Sequence, residues 1–265
     1  MALLPGVYQA LKKNGQVYYR SSITYKNKHI SLGSFSTEEE ANAAYTNADC
    51  VLKDNRILIE DFHNSISLGF EKWITLINYR DNGLYIKNPI YLKKGFFFYY
   101  INMEYILKFD IDDLFYYAHH KIMVRGKHLF VADYGMQVNI LSKYGIKNYG
   151  IAGKDYLFIN GDELDYRYSN IKIMNRFQGV SKIIKNDTTV YCAKIHIKGD
   201  YIIGYYQTEI DAAIAFNKAV NILKERGVKK NYQVNFIPDI DEIAYAKIYN
   251  NIRISKKLRE FTINN

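Results

Sequence analysis

Lys12, Lys13, Arg20, Lys26 and Lys28 fall within a 35-residue opening stretch that contains no carboxylate, and the acids Glu38, Glu39, Glu40 and Asp49 come after it. Fixed positive charge without intervening acids suits the binding of phosphate rather than the breaking of bonds. Other residues invite a catalytic reading. His119-His120 follows Asp110, Asp112 and Asp113, as a metal cluster would. Neighbouring side chains on a helix point about 100° apart, however, and cannot both face one ion without distortion. The expectation there is a helix capped by Asp110 or Asp112 and carrying surface histidines. Cys50 and Cys192 lie far apart and outside any CxxC spacing, so they read as reduced packing thiols and not as a zinc site. No Walker loop, GxSxG elbow or HExxH motif is present. The expectation is a polyanion binder with no cofactor.

The elements that hold these cations occur twice. Gly6-Val7 matches Gly179-Val180, and Tyr19 to Ile23 matches Tyr191 to Ile195. Leu32-Gly33 matches Ile203-Gly204, and Thr37-Glu38 matches Thr208-Glu209. Ala41, Ala44, Tyr45 and Ala48 match Ala212, Ala215, Phe216 and Ala219. The second copy is one residue shorter in each connection between strands, where hairpin loops tolerate change. In the first copy Val7 to Leu11, Val17 to Tyr25 and Lys28 to Leu32 read as strands. Turns fall at Lys13-Asn14-Gly15 and Lys26-Asn27. Thr37 followed by three glutamates reads as a helix start, and the alanines recur at helical spacing. Small alanines let the helix lie against one sheet face and leave the other open. Alternation sets Arg20, Ser22 and Thr24 on that open side. Sheets and ribbons are an established means of entering a DNA groove.

The 265-residue chain carries a formal charge of +9 with 26 Tyr and 14 Phe, a bias that an AT-rich genome would also produce. No run of 18 apolar residues occurs, and the N-terminus lacks a charged region and an apolar core, so neither a membrane span nor a secretory signal is expected. The expected location is the cytoplasm of a bacterial or phage-infected cell.

Both repeats resemble the Apetala-2/ethylene-response-factor DNA-binding domain, in the Gly-Val opening, the aromatic and Ile of the second strand, the Leu-Gly closing the third, and the Thr37-Glu38-Glu39-Glu40-Ala41 helix start. That family inserts its three-stranded sheet into the major groove. By the resemblance, the groove-facing positions are Tyr8, Ala10, Lys12, Ser22, Thr24, His29 and Ser31 in the first copy. In the second they are Ser181, Ile183, Lys185, Lys194, His196, Asp200 and Ile202. Several of these are Arg or Trp in the plant family. Here most are small, apolar or hydroxylated, so bidentate guanine contacts are largely missing. The nucleic-acid-binding set expected overall is Tyr8, Lys12, Lys13, Arg20, Ser22, Thr24, His29, Lys182, Lys185, Lys194 and His196.

Between the copies, Ile159-Asn160-Gly161, Leu164-Asp165, Arg167 and Ser169-Asn170 resemble the closing string of HNH homing-type endonucleases that carry an Apetala-2 module downstream. The catalytic positions of that family do not carry over. Phe158 stands at the general-base histidine, Leu157 at the preceding aspartate, and Tyr166 at the asparagine. Phenylalanine neither accepts a proton nor binds a metal, so no nuclease activity is expected.

The expected architecture is α+β: two three-stranded antiparallel sheet-plus-helix modules flanking a degenerate HNH-like middle domain. The boundaries are 1–56 and 177–226 for the modules, 57–87 for a helical linker (a helix over Ile57 to Ile77), and 88–176 for the middle domain. A C-terminal strand over Tyr232 to Ile237 and a basic helix make up 227–265. The expected partner is DNA, duplex first, with single-stranded DNA or RNA as further polyanions. Functionally this is a non-catalytic DNA-binding protein of phage or mobile-element type. The alternative is a protein-binding effector, such as an inhibitor of a host CRISPR-type defence nuclease.

Overall fold

The computed structural model describes residues 3–262 and is α+β, with several small three-stranded antiparallel sheets. It forms two compact units. The first runs to Val138 and includes Asp162–Tyr168; the second comprises Asn139–Gly161 and the chain from Ser169 onward. Among the described residues no helix is long and apolar enough to cross a membrane.

The first unit opens with β1 (Val7–Leu11), β2 (Val17–Tyr25) and β3 (Lys28–Phe35), paired in that order, followed by α1 (Glu38–Lys53). The turns obey local chemistry. Gly15 takes φ 80°, and Lys26 and Asn27 take φ 46° and 61°, the left-handed pair of a tight hairpin. Thr37 caps α1 by accepting the Glu40 N–H at 3.2 Å, while the Glu40 carboxylate reaches back to the Thr37 N–H at 3.4 Å, a reciprocal capping box. Ala41, Ala44 and Ala48 are fully buried against the sheet. Thr24 is exposed on β2 while its neighbour Ile23 is buried, as alternation requires.

The helix expected over Ile57 to Ile77 forms instead as α2 (Phe70–Asn82), preceded by a single 3-10 turn at Ile59–Asp61. Residues 63–69, His-Asn-Ser-Ile-Ser-Leu-Gly, explain the delay, because Asn and Ser side chains compete for backbone bonds and Gly69 costs helix entropy. Every residue from Trp73 to Tyr79 is buried, so α2 is part of a core that also takes in Ile23, Ile30, Ala44 and Ala48. Beyond it, β4 (Ile90–Lys93), β5 (Phe96–Tyr100) and β6 (Ile106–Asp110) form a meander. The helix α3 (Leu114–His119) packs on it through Phe109 and Tyr117, whose rings lie 4.3 Å apart. A third small sheet, β7 (Ile122–Arg125), β8 (His128–Asp133) and β9 (Met136–Asn139), completes the unit.

The second unit contains the ribbon β10 (Tyr156–Phe158) with β11 (Ile171–Ile173). The second module follows: β12 (Val180–Lys185), β13 (Thr188–His196), β14 (Asp200–Tyr206) and α4 (Glu209–Glu225). Thr208 caps α4 by accepting the Asp211 N–H. The tail differs from expectation. Tyr232 to Ile237 forms no strand, because its polar groups are taken by side chains: Asn235 and Asn217 exchange hydrogen bonds, and Asn235 also brackets Gln178. The expected single helix appears as α5 (Glu242–Asn251), capped by Asp241, and a separate turn α6 (Lys256–Arg259). Ile254 and Leu258 pack into the α4 core, and the Ser255 N–H donates to the Ile203 carbonyl.

The two modules agree in details that sequence comparison does not reach. In each, the register between the second and third strands shifts at one place, between Ser21 and Ser22 and between Ala193 and Lys194. The N–H at each bulge donates to the opening glycine: Ser22 to the Gly6 carbonyl at 3.1 Å, Lys194 to the Gly179 carbonyl at 2.8 Å. Each glycine is left-handed, φ 73° and 72°, and lies under the helix aromatic. A Cβ there would stand 2.0 Å from the Tyr45 ring or 2.3 Å from the Phe216 ring. Gly6→Ala and Gly179→Ala should therefore each cost about 2–4 kcal/mol, combining left-handed strain with overpacking. Urea unfolding of the two variants measures this, and losses under about 0.5 kcal/mol would contradict the close approach.

Candidate nucleic-acid interface

Strand register defines the open face of the first sheet. Tyr8 pairs with Arg20 and Arg20 with Ser34. Beyond the bulge Ser22 pairs with Ser31 and Thr24 with His29, all pointing away from α1. Tyr8, Lys12, Arg20, Thr24, His29, Ser31 and Ser34 are exposed, and Ala10 is half-buried. Lys13 stands in the exposed turn beyond β1. Ser22 departs from the expectation, since at 8% exposure it is the floor of the face and not a projecting contact. A short side chain on the central strand, at the bulge, lies below its neighbours.

The charges on this module divide into two sets. Lys26 folds back over the Tyr25 and Tyr79 rings and donates to the Arg80 carbonyl, while Lys28 lies over Tyr85. These two cations belong to the body of the unit. Lys12 makes one neutral hydrogen bond, to Gln16 at 3.0 Å, whereas Lys13 and Arg20 have no hydrogen-bonding or ionic partner among the described residues. Among the described residues no carboxylate stands on the open face; those of the module lie on α1 or, for Asp54, at its C-cap.

The second sheet carries the same frame with different contents. Ser181, Ile183, Lys185, Cys192, Lys194, His196, Asp200, Ile202 and Tyr205 share its open face. Lys182 does not, which corrects its inclusion in the binding set: it pairs with Tyr191 on the α4 side, at the sheet edge. His196 and Asp200 are in contact, Nδ1 to Oδ1 at 2.8 Å, and this hydrogen bond holds the Asp200 carboxyl below its ordinary value. Lys185 lies 4.2 Å over the Tyr205 ring, so it too is engaged. Between these groups lie the exposed Lys194 and apolar side chains, with Ile183 half-buried and Ile202 and Tyr205 43% and 44% exposed.

Ser34 and Tyr205 were missed by strand alternation, because the bulge adds one residue and reverses the faces of the strand beyond it. The Leu32-Gly33 and Ile203-Gly204 pairs were the available signal, since each glycine sits at the shift.

In the middle segment, Phe158 is a strand residue paired with Ile171. Tyr166 is buried and stacks on Phe109 at 5.5 Å. The closing string divides between the units: Asp162–Tyr168 attaches to β6, with the Lys108 N–H donating to the Leu164 carbonyl and the Tyr166 N–H to the Lys108 carbonyl. Asp165 pairs with Arg167, and the Asp110 carboxylate accepts the Tyr168 N–H at 2.7 Å. Asp110 and Asp112 therefore do not cap α3, which has no side-chain cap. The His119 and His120 Nδ1 atoms each lie 2.8 Å from a helix carbonyl, of Phe115 and Tyr116. Among the described residues no three His, Cys, Asp or Glu side chains gather in a metal-holding group.

Compared with known proteins, the chain matches no protein-family model, no curated protein and no solved structure.

The two thiols give this geometry a direct check. Cys50 is exposed on α1, while Cys192 is 3% exposed on the second open face and burial pushes its thiol pKa up. In the native protein a thiol reagent should modify Cys50 at least tenfold faster than Cys192, the two rates converging in denaturant, with thiolate fraction and access both acting against Cys192. Equal native rates, read by peptide mass spectrometry, would contradict the placement of Cys192.

Proposed function

We propose that this chain is a non-catalytic nucleic-acid-binding protein of phage or mobile-element type, and that it contacts duplex DNA mainly through the open face of its first sheet. The observation that carries the reading is the separation of charge in that module. Lys13 and Arg20 are unpaired, Lys12 is bonded only to a neutral amide, and the acids stand on the opposite side. A three-stranded sheet sets its outer strands about 10 Å apart, comparable with the width of about 12 Å of the major groove. Lys12, Lys13 and Arg20 would engage phosphates and set the register, while Tyr8, Thr24, His29 and Ser31 would face base edges or sugar. With one arginine on the face, affinity would rest largely on phosphate contacts and depend steeply on salt. The absence of catalysis is supported by Phe158 and Tyr166, a strand residue and a core aromatic where the resembled nucleases use a base and an amide.

A second reading has its own observation. The open face of the second sheet carries an apolar band, Ile183, Val190, Cys192 and Tyr205, between Lys185 and Lys194, with Ile202 across from Lys194. That composition fits a protein surface with an apolar patch and acidic rim better than a DNA backbone, as the effector reading requires. A host defence nuclease is the candidate partner.

Fluorescence anisotropy with random duplex DNA across a salt series separates the readings. For the duplex reading, Lys12→Glu/Lys13→Glu/Arg20→Glu should weaken binding at least tenfold and flatten the log–log salt slope by roughly 0.9 for each phosphate no longer engaged. Undiminished binding by this variant would remove the first sheet as the site. Absence of duplex binding by the parent protein at low salt would leave the effector reading.

A further inference from the structure

The hairpin β7–β8 presents a second open face of the same chemical kind. Its register pairs Ile122 with Val131 and Val124 with Leu129 on one side, and Met123 with Phe130 and Arg125 with His128 on the other. Ile122, Leu129 and Val131 are buried, which turns the first side inward away from the turn, while Val124 next to the turn is 44% exposed. The second side shows Met123 at 38% exposure, half-buried Phe130, and exposed Arg125 and His128. Gly126, at φ 59°, and Lys127 make a two-residue turn that keeps the ribbon narrow and sets Lys127 at its tip.

The arginines of the first unit show that this is more than a solvated loop. Arg56, Arg80 and Arg167 are each paired with a carboxylate, of Asp54, Asp81 and Asp165 respectively. Arg20 and Arg125 have no partner among the described residues, and both stand on an open sheet face. Asp133, the acid of this small sheet, lies on the inward side, where it accepts from the Tyr116 hydroxyl and stands 3.5 Å from His120. Among the described residues no carboxylate remains on the outward side to satisfy Arg125, Lys127 or His128.

We propose that the β7–β8 hairpin is a second DNA-contacting arm, with Arg125 and Lys127 on phosphates and Met123 meeting sugar or base edges as the ribbon enters a groove. Two-stranded ribbons are narrow enough for the major groove, where an apolar side chain can meet a thymine methyl. This inference rests on the duplex-binding reading and adds an independent contact to it.

The test compares full-length parent protein, Arg125→Ala/Lys127→Ala, Arg125→Glu/Lys127→Glu and the first-sheet triple variant, by anisotropy with one random duplex over a salt series. Both hairpin variants change exposed tip residues and should melt like the parent. The arm requires at least a tenfold loss for the charge-reversed hairpin, a smaller loss for the alanine pair, and a salt slope flatter by roughly 1.8, two contacts at 0.9 each. Parent-like affinity and slope for both hairpin variants, beside a clear loss in the triple variant, would overturn the arm and leave the first-sheet site standing. A loss for the hairpin variants alone would support the arm and remove the first sheet. A parent protein that binds no duplex would overturn the functional reading and the arm together.

Discussion

An alanine-lined helix lying close against one side of a three-stranded sheet is the constraint on which both modules rest. The approach is set by Ala41, Ala44 and Ala48 in one copy and Ala212, Ala215 and Ala219 in the other, all fully buried. It is tight enough that the ring of Tyr45 or Phe216 overhangs the backbone of the opening glycine. The glycine carbonyl in turn receives the N–H freed at the bulge. One close contact thus fixes the helix, the strand opening and the register shift at once. It also commits the sheet to one covered face and one uncovered face, and the uncovered face is where two copies on one frame have diverged.

The divergence is electrostatic. The first copy keeps its cations unneutralised by placing its acids on the capped helix, where they meet the positive end of the dipole. The second copy draws part of its charge into local partnerships, His196 with Asp200 and Lys185 with the Tyr205 ring, and sets the exposed Lys194 beside an apolar band. On the proposed reading, similar backbones would serve a polyanion in one case and an apolar surface in the other. The Arg20 and Arg125 guanidiniums extend the first pattern across two sheets of one unit, whose other arginines are held by carboxylates.

The modules were legible in the sequence because their signals are local and repeated: Asn and Gly at left-handed turn positions, Thr before glutamates, alanines at helical spacing. The strands β1 and β2 lie where alternation and turn chemistry put them. The features that escaped were decided by pairing and packing. The bulges moved Ser34 and Tyr205 onto the open faces and left Ser22 as a floor. Lys182 was legible, because alternation with Ser181, Ile183 and Lys185 already puts it on the helix side. The start of α2 was set by turn-forming Asn, Ser and Gly residues within an otherwise amphipathic stretch. The tail from Tyr232 to Ile237 had strand-like alternation but found asparagine side chains instead of a strand to pair with. The hairpin at Arg125 gave no sign in composition, because its meaning depends on which way Asp133 points.

Hydrogen–deuterium exchange of the full chain, free and saturated with duplex DNA, would decide which open face meets the nucleic acid, since it reads every sheet at once. Slowed exchange is expected in peptides covering Val17–Phe35 and, for the arm, Ile122–Asp133, with Val180–Tyr206 unchanged. Slowed exchange confined to Val180–Tyr206, or no change anywhere at saturating duplex, would contradict binding through the first sheet.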